Sequence, residues 1–459
     1  MFKALLSTGV AAAALMVGTV SGTTGDDAAV ARLCKYISIN TTNPPGNEKS
    51  GAEYLASILR SNGIDATLFD TAPGRACVYA KLPGTGKKRP IILLNHIDVV
   101  PAKAEDWQHA PFEGKVYDNE IWGRGAIDMK STGMAELEAM VSIKRAGAQH
   151  DRDIIFLGTP DEEVGGAAGA EWMTKNHPQL VKDAEYLINE GFGIDTRDDG
   201  TPKFWGVDVA EKSVMWLRLT ATGQAGHASM PITDSAPNRL ARALAHVVNN
   251  PPAPNVIPSV KRFFEDIAVT EDEPVRSYFK NITQSVQEPK IYGALLKNKL
   301  LSSMLRDTVS LTVLKAGYKT NVIPAEATAE LDCRLLPNTD KYQFIKQIED
   351  KIDDPSVKVS VLEYVKADPS PYDTELFKVI TDVANSSGPL RAPVVPIVVP
   401  WFTDSHFFRN FGTVAYGFMP FRIDAEHMAT MHGKDERIPV KNYLEGIHLM
   451  TQIVDNIAR

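Results

Sequence analysis

The stretch PIILLNHID, residues 90–98, decides the fold class. It opens with a short apolar run after the turn-like GTGKKR, and it ends with His96 and Asp98, which point to the same side of a strand. A similar apolar run, residues 154–157, follows a charged stretch. Short continuous apolar runs are typical of buried parallel strands, so both runs predict strands of one sheet.

The residues between these two strands predict a helix. Met134, Leu137 and Val141 recur at helical spacing. Ser131 and Thr132 stand just before them, where a hydroxyl can cap a helix. The order strand, helix, strand is typical of a parallel crossover. The chain is therefore predicted to be an α/β protein whose active site lies beyond the carboxyl ends of its strands.

Acidic residues gather at these predicted strand ends. Three consecutive acids, residues 161–163, follow the second strand, and Glu190 ends a further apolar stretch, residues 186–188. Acidic turns are usually solvated surface, and a histidine near an aspartate, as in His96 and Asp98, is common. Three adjacent carboxylates repel one another, however, and a bound cation would relieve that repulsion. The strand ends are thus the candidate metal site.

Composition and charge exclude some classes of function for this protein. The chain has 459 residues, which exceeds the length that a single hydrophobic core usually supports. Two domains and a targeting segment are therefore expected. A formal net charge of -8 argues against binding to phosphate backbones, which needs clustered basic residues, so nucleic acid is not expected as a partner. The 3 cysteines lie far apart, which excludes a disulfide framework and a CxxC metal site.

Residues 1–22 have the layout of a secretory signal peptide. Lys3 precedes an apolar run, residues 4–20, and small residues follow it. A single membrane anchor is the alternative, but the run is rich in alanine and glycine and short for a bilayer span. We therefore expect an exported protein, periplasmic or secreted, with no stable membrane span after cleavage.

The hydrophobic pattern changes at about Ser213. From there apolar and polar residues alternate with period two, which predicts a half-exposed strand. Two more alternating stretches and two helical segments follow, at residues 309–314, 327–335, 238–248 and 342–352. They predict a smaller α+β domain inserted into the larger one. The expected division is a signal peptide at 1–22, a catalytic domain formed by 23–211 and 368–459, and an inserted lid or dimerisation domain at 212–367.

Five short motifs together resemble a known family. They are, in chain order, His96-Ile-Asp98, GRGAIDMK with its acid at Asp128, Glu162-Glu163, Asn189-Glu190-Gly191 and Met431-His432-Gly433. This order is similar to that of the M20 zinc peptidases, the family of aminoacylase, succinyl-diaminopimelate desuccinylase and glutamate carboxypeptidase. The match covers nearly all of the chain after residue 22 and implies a zinc-peptidase-type mixed sheet with flanking helices.

The resemblance implies a centre of two divalent metal ions. Asp128 would bridge the ions, although taken alone an aspartate before a helix could be a simple helix cap. The other ligands would be His96 and Glu190 at one ion and Glu163 and His432 at the other. A mixed set of imidazole and carboxylate ligands suits Zn²⁺ best, with Co²⁺ and Mn²⁺ as alternatives.

Two further acids have implied roles at this centre. Asp98 would orient His96, because a metal-ligating imidazole usually donates its second N–H to a carboxylate. Glu162 would be the general base, which takes a proton from a water activated by the two zinc ions and passes it to the leaving amine.

The inserted domain carries three residues with implied roles. His227, in TGQAGHASMP, resembles the histidine of the family's GxxGHxSxP segment, which stabilises the oxyanion and often comes from the partner subunit of a homodimer. Asn321 and Arg334 lie in segments similar to the family's NxxP and DxR motifs, which bind the substrate carboxylate. A loop histidine is otherwise usually a surface residue, and Arg334 could instead pair with Asp332 on the same strand face.

Two stretches depart from the family's pattern. Trp401-Phe402 stand before Thr403 where many members have two glycines, which puts the substrate range in doubt there. The segment 251–306 is longer than in compact members and resembles that of carboxypeptidase S and the fatty-acyl amino acid hydrolases. Its apolar residues could cover an acyl chain, or they could form the core of ordinary helices.

The expected function is hydrolysis of the amide bond of an N-acyl amino acid or short peptide with a free carboxylate. Glu190 favours acyl substrates. The resemblance implies that acylases of this family tend to carry Glu at this ligand position, whereas peptidases tend to carry Asp. A carboxypeptidase or dipeptidase with the same centre is the alternative among enzymes. A binding protein on this scaffold is the alternative outside enzymes, but it would have no reason to retain Glu162 and every ligand.

Overall fold

The structure of the protein is a computed structural model that describes residues 24–459. The predicted signal peptide, residues 1–22, lies outside the described residues and stays a prediction. In the part of the chain that is described, no helix is both long enough and apolar enough to cross a membrane.

The described chain forms strands and helices in mixed order, with several runs of elements of the same type. The strands are β1 (Ala66–Ala72), β2 (Arg75–Leu82), β3 (Ile91–His96), β4 (Lys115–Tyr117), β5 (Glu120–Trp122), β6 (Ile154–Thr159), β7 (Tyr186–Asn189), β8 (Ile194–Thr196), β9 (Pro202–Glu211), β10 (Ser213–Thr222), β11 (Gly226–His227), β12 (Thr308–Ala316), β13 (Val322–Ile323), β14 (Glu326–Leu335), β15 (Val357–Val365), β16 (Val394–Val399), β17 (Val414–Gly417) and β18 (Arg437–Pro439). The helices are α1 (Thr24–Ser38), α2 (Lys49–Ser61), α3 (Lys130–Ala146), α4 (Ala170–Asn176), α5 (Ala236–Asn249), α6 (Pro258–Ile267), α7 (Val275–Lys280), α8 (Ile282–Ser285), α9 (Pro289–Leu295), α10 (Lys299–Met304), α11 (Lys341–Ile352), α12 (Glu375–Ser386), α13 (Ser405–Arg409), α14 (Ala425–Met428) and α15 (Val440–Ala458).

A mixed sheet of 9 strands forms the large domain. Its order is β1-β2-β6-β3-β7-β17-β9-β16, with β8 paired to β9. The strands β3 and β6 are parallel neighbours, and the chain between them contains α3. The predicted α/β class, with a mixed sheet and flanking helices, is confirmed.

The helix α3 begins earlier than the sequence suggests. Its first residue is Lys130, so Ser131 and Thr132 lie inside the first turn, and neither hydroxyl has a hydrogen-bond partner in the described chain. The prediction that they cap the helix is wrong. The Lys130 N–H instead donates to the carbonyl of Gly125 at 3.0 Å, so the bend before the helix supplies the partner that a capping side chain would supply.

The centre of the large sheet is covered on both faces. Every residue of β3 and of β6 is buried, and α3 packs on β3 and on α15. Continuous apolar strands need such cover, because neither face can meet water. His96 at the end of β3 is therefore a buried polar residue that needs partners.

A sheet of four antiparallel strands forms the small domain, in the order β12-β14-β10-β15. From Met215 to Ala221 on β10 every second residue is buried, as the period-two pattern predicts. The helices α5 and α11 cover the buried face. The other face is partly open, and Trp216 on it is 42% exposed.

The helices α6 to α10 lie within the segment 212–367 but pack on the large sheet. Phe263 and Phe264 of α6 are buried in one core cluster with Trp205 and Val207 of β9, and α6 contacts β16. The expected division gave this segment to the inserted domain, because helical spacing of apolar residues shows that a helix buries a face but not which sheet covers it. These two phenylalanines are ordinary core residues.

Candidate metal centre

Three neighbouring parallel strands, β6, β3 and β7, end at one edge of the large sheet. His96 is the last residue of β3, and Glu190 follows β7 directly. Glu162 and Glu163 lie in a short turn after β6. Because the carboxyl ends of parallel strands meet at the same edge, side chains from distant parts of the chain come together there.

Asp128 reaches this edge from a tight bend before α3. Gly123 and Gly125 in the bend have φ angles of 146° and 91°, a region that residues with a Cβ rarely adopt. The bend brings Asp128 Oδ1 to 3.0 Å from His96 Nε2.

Two groups of ligand atoms share Asp128. In the first group, His96 Nε2 lies 3.0 Å from Asp128 Oδ1 and 3.6 Å from Glu190 Oε2. In the second, His432 Nε2 lies 2.8 Å from Asp128 Oδ2 and 3.3 Å from Glu163 Oε2. The ligand atoms of each group lie within 4.8 Å of one another. The structure thus brings together all the residues that the resemblance implied as ligands.

These residues fit a pair of divalent cations. Each group combines one imidazole nitrogen with carboxylate oxygens, a set that suits zinc and similar ions. Glu163 Oε1 is buried and has no hydrogen-bond partner among residues 24–459. A cation would provide the partner that a buried polar atom normally has.

Burial and the crowding of carboxylates shift the pKa values at this centre. Burial raises the pKa of Glu190 to about 7, and His96 opposes that shift only in part. Burial would lower the pKa of His96, but Glu190 and Asp128 outweigh it and raise that pKa well above its usual value. Hydrogen bonds to Asp128 and Glu163 raise the pKa of His432 to about 10. The clustered carboxylates therefore favour positive charge at these positions, which bound cations would supply.

Asp98 holds the turn of the two glutamates as well as the ring of His96. His96 Nδ1 lies 2.9 Å from the backbone carbonyl oxygen of Asp98 and 3.6 Å from its carboxylate. The carboxylate accepts hydrogen bonds from the backbone N–H groups of Glu162 and Glu163, both at 3.1 Å. Asp98 therefore orients His96 through its main chain and positions Glu162 through its side chain.

Glu162 belongs to neither ligand group, although its neighbour Glu163 does. Burial, followed by repulsion from Glu190, raises the pKa of Glu162 well above its usual value. A carboxylate with a raised pKa holds a proton more readily, which suits a residue that must take up a proton and later give it back.

Asn43 and Arg75 are residues of this site that the sequence motifs did not indicate. Asn43 is buried and donates to Asp98 Oδ2 at 2.9 Å and to Asp161 Oδ1 at 3.2 Å. Arg75 donates to Asn43 Oδ1 at 2.8 Å and also to Asp161. These bonds tie the loop before α2 to the acidic turn. The proline-rich turn at residues 43–46 is the one local signal that could have marked that loop.

His227 and Asn321 lie together on the small domain. His227 is exposed, and its Nδ1 lies 2.7 Å from the hydroxyl of Ser229. Its strand β11 pairs with β13, and the Ala228 N–H donates to the carbonyl of Asn321 at 3.2 Å. Within residues 24–459, His227 belongs to neither ligand group.

Arg334 is paired within its own domain. Its guanidinium donates to both carboxylate oxygens of Asp332, at 2.8 and 3.1 Å. The two side chains are 27% and 28% exposed, so solvent reaches the pair. The alternative considered for Arg334, a salt bridge within its own domain, is present. A substrate carboxylate would have to share the guanidinium with Asp332 or displace Asp332 from it.

A turn that contains Asp404 and Ser405 adjoins the centre. Asp404 Oδ2 accepts a hydrogen bond from Thr159 at 3.0 Å, and Ser405 accepts one at 3.1 Å from Asn189, the neighbour of Glu190. Burial raises the pKa of Asp404 to about 8. Trp401, just before this turn in the chain, is 38% exposed, so the departure from the family pattern leaves an aromatic side chain open to solvent.

The fold and the centre indicate a metallohydrolase, and comparison with known proteins gives its family. The model of peptidase family M20/M25/M40 matches residues 92–456. The chain belongs to this family, and the resemblance seen in its motifs is confirmed.

Relatives and solved structures agree with this family. The protein named probable carboxypeptidase S-like 2 of Dictyostelium discoideum is 31% identical over 383 residues, which cover 81% of this chain and 72% of its own. Aminoacylase-1A of Rattus norvegicus is 29% identical over 445 residues, 96% of this chain and 98% of its own. An M20 family metallo-carboxypeptidase from Sulfolobus solfataricus shares the fold with a TM-score of 0.68 and 20% identity, over 95% of this chain and 99% of that one. The protein is therefore a metallohydrolase of the peptidase and aminoacylase family.

Proposed function

We propose that this protein hydrolyses the amide bond of N-acyl amino acids with a free carboxylate, with two Zn²⁺ ions at its centre. The observation that carries the proposal is the pair of ligand groups that share Asp128, next to the turn of Glu162. An aminoacylase that aligns with 96% of the chain supports this substrate class. Glu190 at its ligand position points the same way.

Five side chains would hold the metal ions: His96, Glu190, Asp128, Glu163 and His432. When bound, such ions lower the pKa of a water molecule and polarise an amide carbonyl. Glu162 takes a proton from the attacking water as the new C–O bond forms, and it delivers that proton to the amine nitrogen as the C–N bond breaks. The raised pKa of Glu162 suits both roles. Asp98 keeps the Glu162 backbone in place through both steps.

The small domain supplies the substrate-binding groups in this proposal. Arg334 and Asn321 bind the carboxylate of the substrate, and His227 stabilises negative charge on the carbonyl oxygen. His227 is exposed and hydrogen-bonded to Ser229, and we propose that it comes to the centre by closure of the small domain or from a second copy of the chain. A homodimer is the assembly that we propose for supply from a second copy.

A carboxypeptidase or dipeptidase with the same centre is the second candidate function. The relative from Dictyostelium discoideum, named as carboxypeptidase S-like, supports it. The helices α6 to α10 do not separate the two candidates, because Phe263, Phe264 and Leu295 are buried in the core of the large domain.

The test compares acyl amino acids with dipeptides that have the same carboxyl residue. The purified protein is assayed with acetyl, butyryl, octanoyl and lauroyl amino acids and with the dipeptides, before and after removal of metal by a chelator. We expect higher kcat/KM for acyl substrates, loss of activity on chelation and recovery with Zn²⁺. Dipeptides cleaved faster than every acyl substrate would favour the second candidate, and full activity without metal would overturn the metal-dependent mechanism.

A further inference from the structure

Glu436 is a buried carboxylate to which the sequence motifs give no role. It is 0% exposed. Its Oε1 accepts hydrogen bonds from the backbone N–H groups of Ile127 at 2.7 Å and Asp128 at 3.0 Å. Its Oε2 accepts one from the Gly125 N–H at 3.1 Å and one from the Arg124 side chain at 2.6 Å. Four donors from the bend before α3 therefore converge on one side chain.

Arg124 extends this contact to the loop of His432. Nη1 of its guanidinium donates to Glu436, and Nη2 donates to the backbone carbonyl of Gly433 at 2.5 Å. The backbone carbonyl of Glu436 accepts a further hydrogen bond from the Gly123 N–H at 2.9 Å. The bend and the loop are thus joined by side-chain and main-chain bonds.

The two joined segments both carry metal ligands. Asp128 belongs to both ligand groups and His432 to one. His432 has a φ of 57°, a left-handed conformation that a residue with a Cβ keeps only when its surroundings hold it. Its side chain is 52% exposed, so burial alone does not fix it. The bond from Arg124 to Gly433 anchors the main chain next to it.

We propose that Glu436 is a positioning residue that sets the distance between Asp128 and His432 and thereby the affinity of the centre for metal. The inference rests on the proposed function, because it requires that these residues bind metal. A charged acceptor suits this task, since hydrogen bonds to a buried carboxylate are stronger than those to a neutral group. Glu436 acts only through the two segments that it joins.

The first test is Glu436→Gln, measured by Zn²⁺ titration of the metal-free protein. Glutamine keeps the size but replaces one acceptor oxygen by an amide donor that faces the same N–H groups. We expect the Zn²⁺ dissociation constant to rise about 10- to 100-fold. In the metal-free protein we expect faster hydrogen exchange at the amides of Ile127 and Asp128, a readout independent of activity.

Glu138→Gln is the matched control. Glu138 lies on α3, is 5% exposed and pairs with Arg32, but it bonds to neither of the joined segments. Its Zn²⁺ affinity should equal that of the wild type within about twofold, since distant sites act independently.

Arg124→Lys keeps the test decisive if Glu436→Gln does not fold. Lysine retains the charge but cannot bind Glu436 and the Gly433 carbonyl with one planar fork. We expect a smaller loss of Zn²⁺ affinity and faster exchange across residues 431–436. Wild-type affinity and exchange in folded Glu436→Gln, or in Arg124→Lys if the first variant does not fold, would overturn the proposal. A wild-type protein that binds no Zn²⁺ would overturn the proposed function itself, so the two failures are distinguishable.

Discussion

The loops of the large domain that carry the candidate metal ligands and the candidate substrate-binding residues of the small domain are held in different ways. Asp128 in the large domain is buried and bonded to residues from distant parts of the chain. His227 in the small domain is exposed and bonded to Ser229, and Arg334 is bonded to Asp332, in each case two residues away. We infer that the candidate metal centre is held by contacts between distant parts of the chain, whereas the hydrogen bonds of His227 and Arg334 are local.

Replacing Glu162, the candidate base, tests the part of this comparison that concerns the large domain. This substitution should have the largest effect on activity. We expect Glu162→Gln to lower kcat by roughly 10²- to 10⁴-fold with metal content unchanged, because glutamine cannot take up the proton and Glu162 is in neither ligand group. Steady-state kinetics and elemental analysis measure the two quantities. Glu171→Gln, in a surface pair with Lys175, is the control and should change neither. Full turnover in Glu162→Gln would sink its assignment as the base.

Loss of the candidate oxyanion group tests the small-domain half. We expect His227→Ala to lower kcat by roughly 10²-fold and to change KM less, because an oxyanion donor acts mainly on the transition state. The exposed His246 on α5, changed to Ala, is the control and should keep wild-type kinetics. An unchanged kcat in His227→Ala would assign this residue a structural role.

A mixture of His227→Ala and Glu162→Gln subunits shows which copy supplies the histidine. If it crosses between subunits, mixed dimers recover activity that neither variant has alone. A mixture that stays inactive, or a protein that is strictly monomeric, means that the histidine comes from the same chain by domain closure.

A smaller effect is expected at the arginine of the small domain. We expect Arg334→Lys to raise KM roughly tenfold and to change kcat less, because lysine lacks the planar fork that binds a carboxylate. The free energy of unfolding should fall by no more than about 1 kcal/mol, because the pair with Asp332 is partly exposed. Kinetics and thermal denaturation measure both. Reduced stability with an unchanged KM would show that the pair serves the fold alone.

Local sequence pattern indicated the residues that the structure brings together, but not the residues that hold them. His96 and Glu190 stand directly at the ends of apolar strands, where short motifs and the family resemblance mark them. Glu436 and Asn43 act through contacts between segments far apart in the chain, and no local pattern carries that information. The same limit applies to α6, because helical periodicity predicts a buried face without naming the sheet that covers it.

A substitution of His427 on α14 should have the smallest effect. It tests what ion pairs contribute in the region of His432 when metal binding is not involved. Its Nε2 lies 2.6 Å from Glu120, and its Nδ1 lies 2.8 Å from Asp424. Burial would lower the pKa of His427, but the two carboxylates outweigh it and raise that pKa above its usual value. Within the described chain His427 belongs to neither ligand group, so it reports what ion pairs alone contribute here.

The sign of its pH effect follows from the raised pKa of His427. Below the unfolded pKa of about 6.5 the imidazole is protonated in both states, so its ion pairs stabilise the fold fully, and this stabilisation is lost as pH rises through the folded pKa. We expect His427→Gln to lower the free energy of unfolding by about 1 kcal/mol at about pH 5.5 and by less at about pH 9. Chemical denaturation of the metal-free protein at both pH values measures the difference, with exposed His448, changed to Gln, as the control. An equal loss at both pH values would show that His427 contributes by packing and not by charge.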